Sequence, residues 1–317
     1  MDPKDMPSDD IRQIINDLAD EEKPPINKQL VELTDIKASD LVFFDQVWQT
    51  LNPERKLQII NRLTEMAEDL TEVNFDAIFR HRLYDPEPEI RTKAIEGLWE
   101  SEDSSLIKPF IKLMQTDPSL EVRRASTMAL GKFAMLAENK KLAPDYMPIL
   151  CKTLLETYAE NNDMELKRRA LEAVAPLSLP RVEQAITEAY NSDDIKLKAS
   201  ALYAMGRNCK IDWINDLIRE LSAPIAELRY EAAGACGELA EDTAVPYLIE
   251  AAEDNDINVR LAAIIALGKI GGEEAQEYLK ACLEDEGETV REAAQHALDD
   301  IDIVTHPGSF RWTDLEE

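Results

Sequence analysis

Histidine, cysteine and carboxylate are the side chains of this sequence that could do chemistry, and their spacing argues against most of it. The three histidines, His81, His296 and His306, have no companion at metal-ligand or nucleophile–base spacing. No His-Glu-x-x-His, Gly-x-Ser-x-Gly, Gly-x-Gly-x-x-Gly or Gly-x-x-x-x-Gly-Lys-Ser/Thr occurs. Asp254-x-Asp256-x-Asn258 opens like a calcium loop, but Val259 stands where the sharp turn needs Gly. Ile265 stands where a bidentate Glu is needed. Adjacent acids such as Asp193-Asp194 and Asp299-Asp300 read as solvated turns rather than acid/base pairs. The four cysteines, Cys151, Cys209, Cys236 and Cys282, form no Cys-x-x-Cys pair and read as small buried thiols in helices. No catalytic residue, metal site or cofactor is expected.

One polar pattern does recur. A basic residue stands at 91, 123, 167, 198, 229, 260 and 291, at intervals of 32, 44, 31, 31, 31 and 31. An Asp/Asn-rich turn precedes it, as in Asp85 to Arg91, Asp117 to Arg123, Asp254 to Arg260 and Asp285 to Arg291. Small and apolar residues follow, as in Ala129-Leu130-Gly131, Ala235-Cys236-Gly237 and Ala266-Leu267-Gly268. A column present in every unit is what a structural ladder requires. Asp85, Arg91, Asp117, Arg123, Arg229, Asp254, Arg260, Asp285 and Arg291 are therefore expected to tie one repeat to the next. Lys167 and Lys198 lack the bidentate guanidinium fork, so the ladder should weaken there. A degenerate earlier copy is visible at Asn52-Pro-Glu-Arg-Lys56.

The elements that must hold this column are helix pairs. Val259, Ala262, Ala263, Ala266, Leu267 and Ile270 fall at helical spacing, with Gly268 and Gly271-Gly272 as the expected stop. Val245, Leu248, Ile249 and Ala252 form a second stripe, with Pro246 in its first turn. Ala and Gly at inner positions allow close approach, and one pair cannot bury both faces alone, so pairs must stack. The unit Asp-x-x-x-x-Val-Arg-x-x-Ala-x-x-Ala-Leu-Gly resembles HEAT repeats, specifically the short HEAT-like repeats of the phycobilisome-lyase type. The resemblance covers Asp85 to Asp302 and implies an all-α fold. That fold is a right-handed α-solenoid (a superhelix) of stacked antiparallel helix pairs, with about seven ~31-residue repeats and an N-terminal helical cap.

Four segments are expected. Residues 1–25 form an acidic N-terminal segment with a short helix, and residues 26–84 a helical cap holding the degenerate repeat. Residues 85–302 carry the repeats, with an insertion within about 133–158 that supplies a longer loop and a longer second helix. Residues 303–317 form a tail containing His306-Pro-Gly-Ser-Phe-Arg-Trp312. Phe43, Phe44 and Trp48 are spaced as a core stripe.

Charge bounds the partners. Lys and Arg number 35 against 64 Asp and Glu, a net charge of −29. Residues 241–317 alone hold 20 acids and 5 bases. This excludes sequence-independent binding to nucleic acid, including the basic groove of HEAT-like DNA-repair glycosylases, and docking on anionic membranes. It favours a protein partner with a basic surface. The N-terminal residues show no basic and apolar leader and no apolar run approaches a membrane span, so a cytoplasmic, monomeric protein is expected. The expected function is a non-enzymatic interaction scaffold or adaptor using the concave face of the solenoid. That face is assigned to the second helices, with Phe110, Lys112, Trp213, Asp216, Arg219, Tyr247, Glu250, Glu277 and Tyr278 as contact residues. The family resemblance alone implies the alternative, a lyase or chaperone that assists cofactor or chromophore attachment.

Overall fold

A computed structural model describes residues 9–20 and 23–305 of the chain, and the backbone alone of residues 9, 10 and 303–305. Residues 1–8 of the expected N-terminal segment, and residues 306–317 of the expected tail, lie outside the described residues. Every regular element among the described residues is helical. In chain order they are α1 (Asp9–Leu18), α2 (Asn27–Val31), α3 (Ala38–Trp48), α4 (Pro53–Asp69), α5 (Asp76–Arg82), α6 (Pro88–Gly97), α7 (Ile107–Thr116), α8 (Leu120–Glu138) and α9 (Tyr146–Glu160). There follow α10 (Met164–Val174), α11 (Pro180–Tyr190), α12 (Ile195–Asn208), α13 (Ile214–Glu220), α14 (Ala226–Leu239), α15 (Val245–Ala251), α16 (Ile257–Ile270), α17 (Glu273–Cys282) and α18 (Glu288–Thr305). Packing divides the chain into two units, which meet after Phe133, within α8.

The helix starts follow from local chemistry. Asn52, Asp163, Asp194 and Asp256 accept backbone N–H groups of the first turns of α4, α10, α12 and α16. Each satisfies a donor that the helix itself leaves open. Pro53, Pro88, Pro180 and Pro246 sit in first turns, where a missing N–H costs nothing. The helix ends meet expectation in part. Gly268 lies inside α16, and the helix stops at the expected Gly271, whose φ is 71°. Cys209 and Ala240 end α12 and α14 in the left-handed region. Cys209 is exposed there, unlike the other three cysteines, which are buried as expected.

In the first unit the core is aromatic. Phe44, Trp48, Phe75 and Phe79 are buried with Ile59, Ile60 and Leu63. Burial of each such side chain contributes roughly 1.5–3 kcal/mol. Phe43 is only half-buried, with the Arg12 guanidinium 5.2 Å from its ring centre. Trp48 needs a partner for its indole N–H and donates it to Asp85 Oδ2 at 2.7 Å. Lys56 Nζ lies 3.9 Å from the same carboxylate, and the Arg82 guanidinium lies 4.7 Å from the Trp48 ring centre. The basic residue of the degenerate copy thus reaches the acid of the next turn.

In the second unit α10, α12, α14, α16 and α18 form one layer, and α9, α11, α13, α15 and α17 the other. Each helix of the first layer packs more extensively on the second-layer helix before it than on the one after it. The Asp-rich turn therefore lies inside a pair, between α11 and α12 or α15 and α16, whereas the sequence reading placed it between repeats. The longer interval after Arg123 is shared between both helices. α8 continues to Glu138, and α9 has 15 residues where α13 and α15 have 7. The sequence expectation had assigned the excess to a loop and the second helix alone.

Candidate protein-interaction face

The Asp of each turn accepts the N–H two residues ahead: Asp85 from Glu87, Asp117 from Ser119, Asp254 from Asp256 and Asp285 from Gly287. Its other capacity is open to arginine. Arg91 makes two bonds to Asp117, at 2.8 and 2.7 Å, while its Nη1 donates to the Asp85 carbonyl. Arg229 repeats this with Asp254 at 2.6 and 2.8 Å and the Ala223 carbonyl at 2.8 Å. The Arg229 bond is the first cause holding the Asp254 carboxyl below its usual range. Arg123 donates to the Met114 carbonyl, and Arg260 and Arg291 to carbonyls of their own turns. No bond joins Arg260 to Asp285, so there the arginine closes its own turn rather than reaching the next repeat. At the lysine anchors the chemistry changes. Lys198 pairs with buried Glu220 at 2.8 Å, and Lys167 lies 5.6 Å from the Tyr158 ring centre. Burial, followed by a hydrogen bond to Glu220, pushes the Tyr190 hydroxyl up to about 12.

The predicted contact residues divide. Arg219, Tyr247, Glu250 and Glu277 are exposed on second-layer helices, and Lys112 is exposed on α7 of the first unit. Asp216 pairs with Arg219 at 3.0 Å, and Tyr278 donates to Glu253 at 2.6 Å. Phe110 and Trp213 are not surface residues: they are 1% and 9% exposed. Phe110 packs near Phe133, and Trp213 donates its indole N–H to Asn208 from a single 3-10 turn ahead of α13. Both are large apolar side chains at positions the pair must bury.

The layer assignment also needs correcting. A Cβ on Gly206 would stand 2.8 Å from the Ala235 Cα. One on Gly237 would stand 2.8 Å from the Ala266 Cα, and one on Gly268 would stand 2.7 Å from the Ala297 Cβ. Backbones of α12, α14, α16 and α18 therefore approach as closely as the chain permits, and the second-layer helices pack on one another far less. In a stack the more closely spaced layer is the inner one. Within this unit it is the first-helix layer, not the layer of α13, α15 and α17.

That layer carries a groove of about 460 Å³ across α12, α14 and α16. Tyr203, Tyr230 and Ile265 line it and are 43%, 45% and 51% exposed. Gly234 forms part of it, and a Cβ there would meet nothing within 4 Å. Glu231 lines it too, half-buried, without an ion pair or hydrogen bond to any described residue. Its carboxyl is pushed up to about 7, first by burial and then by Glu172 and Glu227, against the opposing pull of Arg168 and Arg169. Those arginines are engaged on α10 with Glu165 and Glu172. A second hollow lined by Leu261, Ile265, Glu292 and His296 continues the groove onto α18. None of these residues was assigned to the interaction face from the sequence. Aligning the repeats on their basic anchor would have shown Glu231 and Gly234 where neighbouring units place Ser200 and Ala262, and Tyr203 and Ile265.

Among the described residues no group of three or more His, Cys, Asp or Glu is placed to hold a metal ion. No helix among them is long and apolar enough to cross a membrane.

A family model for HEAT repeats matches residues 77–157 and 214–299, more than half of the chain. The chain belongs to the HEAT-repeat family. No curated protein matches its sequence significantly. Among solved structures, human deoxyhypusine hydroxylase in complex with glycerol is 19% identical with a TM-score of 0.36, over 78% of this chain and 97% of that one. A chain of the CpcE–CpcF complex of phycocyanin lyase from Nostoc sp. PCC7120 is 18% identical with a TM-score of 0.48, over 74% of this chain and 96% of that one. A chain of the Kap95p–RanGDP structure is 17% identical with a TM-score of 0.49, over 93% of this chain and 45% of that one.

Proposed function

We infer that the protein is a non-enzymatic interaction scaffold that binds a partner protein along the first-helix face of its second unit. The observation that carries this reading is the groove around Gly234. There Tyr203, Tyr230 and Ile265 stand exposed on three successive helices of one layer. Clustered aromatic and aliphatic side chains that stay in water are a typical binding surface. The acidic balance supports a partner with a basic surface, since a net charge of −29 steers basic proteins toward the chain and repels acidic ones.

The test is capture. The intact protein is immobilised, native lysate is passed over it, and salt is raised to about 0.5 M, where exposed ion pairs are screened. A defined protein that binds the wild type and is lost from the Tyr203→Ala/Tyr230→Ala variant is the expected result. Capture that is indifferent to that double substitution would contradict the reading, as would no specific capture in repeated lysates.

A further inference from the structure

Gly234 has no structural reason to be glycine. Gly206, Gly237 and Gly268 each face a neighbouring alanine at 2.7–2.8 Å, so a side chain there would collide with the next helix. Gly234 lies mid-helix in α14, exposed, with open space where a Cβ would stand. Glycine there weakens the helix relative to alanine, because its backbone loses more freedom on folding. The space it leaves empty is part of the groove's floor. In register with it stand Tyr203 on α12 and Ile265 on α16, whose side chains form the walls.

Glu231 lies one turn earlier on the same helix. It is half-buried without a bonded cation, whereas Glu238 in the same groove is paired with Lys269. The groove's other cation, Arg207, turns an Nη to the Met135 sulfur. A carboxylate withdrawn from water gains most from a partner that brings its own positive charge. Exposed tyrosine faces beside it attract a planar cation, and guanidinium stacks on such rings while bonding a carboxylate through its fork.

We propose that the groove at Gly234 binds an arginine side chain of the partner, its guanidinium against Tyr203 and Tyr230 and bonded to Glu231. This rests on the reading of the first-helix face as the interaction surface and names the chemistry that the face selects.

The test titrates the full-length protein with acetyl-Gly-Arg-Gly-amide, followed by NMR shifts of the Gly234 amide and its neighbours. The controls are the same peptide with neutral citrulline, and acetyl-Gly-Glu-Gly-amide. The arginine peptide is expected to bind saturably in the millimolar range, as befits so small a ligand. The citrulline peptide should bind about tenfold more weakly or less, for want of the charge-assisted bond. Glu231→Gln should weaken arginine binding by about the same factor. Gly234→Leu should abolish it without lowering the melting temperature. Equal binding of citrulline, preference for the acidic peptide, no saturable shift, or arginine binding unchanged in Glu231→Gln would each overturn the proposal. If Gly234→Leu unfolds the protein, the Glu231→Gln comparison still decides. The two readings fail separately. A captured protein that is lost from Tyr203→Ala/Tyr230→Ala yet binds Glu231→Gln unchanged removes the arginine site and leaves the scaffold. Absence of any captured protein removes the scaffold whatever the peptide does.

Discussion

Glu231 is costly to ionise where it stands, and that cost is measurable. Arg168, Arg169 and Glu172 face it from α10, Tyr203 and Arg207 share its groove from α12, Lys269 from α16 is paired with Glu238, and Glu227 lies one turn earlier. With its folded pKa raised to about 7, the carboxyl contributes fully to stability only below its unfolded value near 4.5. That contribution is lost as pH rises through 7. Glu231→Gln, a mimic of the neutral acid, should therefore match the wild type near pH 4.5 and exceed it at pH 8 by about 1–3 kcal/mol. Urea unfolding at the two pH values reads this, and an equal difference at both would contradict it. Arg229 and Asp254 behave oppositely. Asp254 is held below its ordinary value of 3.8, so its pairing stabilises the protein above that pH and is lost as pH falls below it. Arg229→Ala should cost about 1–3 kcal/mol at pH 7, and most of that loss should vanish when Asp254 is already Ala. Additive single-substitution losses in the double-mutant cycle would show that the bond is not the cause. At this scale the arginines and acids of the ladder were visible as a repeated column. Their individual bonds were not, because whether an arginine that closes its own turn also reaches the next acid is decided by the packing of neighbouring units. Arg229 and Arg260 share a motif and make different bonds.

At the scale of the helix, two kinds of glycine are distinguishable only once neighbours are known. The Ala-Leu-Gly pattern showed that something must approach closely, and Gly206, Gly237 and Gly268 are where α12, α14 and α16 meet the next helix of the layer. Gly237→Val should destabilise the protein by about 1–3 kcal/mol, because the Ala266 backbone cannot move aside without shifting a helix. Gly234→Ala, three residues away, should stabilise it by roughly 0.5–1 kcal/mol. Thermal unfolding of the pair checks this, and similar effects of both substitutions would contradict the packing described. Helix type and approximate span were legible from apolar spacing, Asx caps and first-turn prolines. The pairing phase was not. The Asp-rich turn is the most conspicuous punctuation in the sequence, yet it sits within a pair, because the helix before it packs more tightly on the helix after it than on the previous one. That half-repeat shift assigned the second helices to the inner layer and brought buried Phe110 and Trp213 into the expected contact set.

For the whole molecule, repetition and charge are the properties that bound function. Intervals of 31 residues required a stack of near-identical units, and the HEAT-repeat match agrees. A periodic fold specifies no chemistry by itself, so function must lie where units differ. In the second unit Glu231 and Gly234, which differ from the residues at the same repeat positions in the neighbouring units, share one groove with Tyr203 and Tyr230. Inserted length, as within about 133–158, is easier to see in a sequence than substitution inside an intact repeat. The measurement that tests the central claim most directly is capture from native lysate by three immobilised proteins side by side: wild type, Tyr203→Ala/Tyr230→Ala on the first-helix layer, and Tyr247→Ala/Glu250→Ala on the second. The account predicts a specific protein held by the wild type and the second-layer variant and lost from the first-layer variant. A protein lost from the second-layer variant and retained by the first-layer one would place the interaction face on the opposite side of the unit.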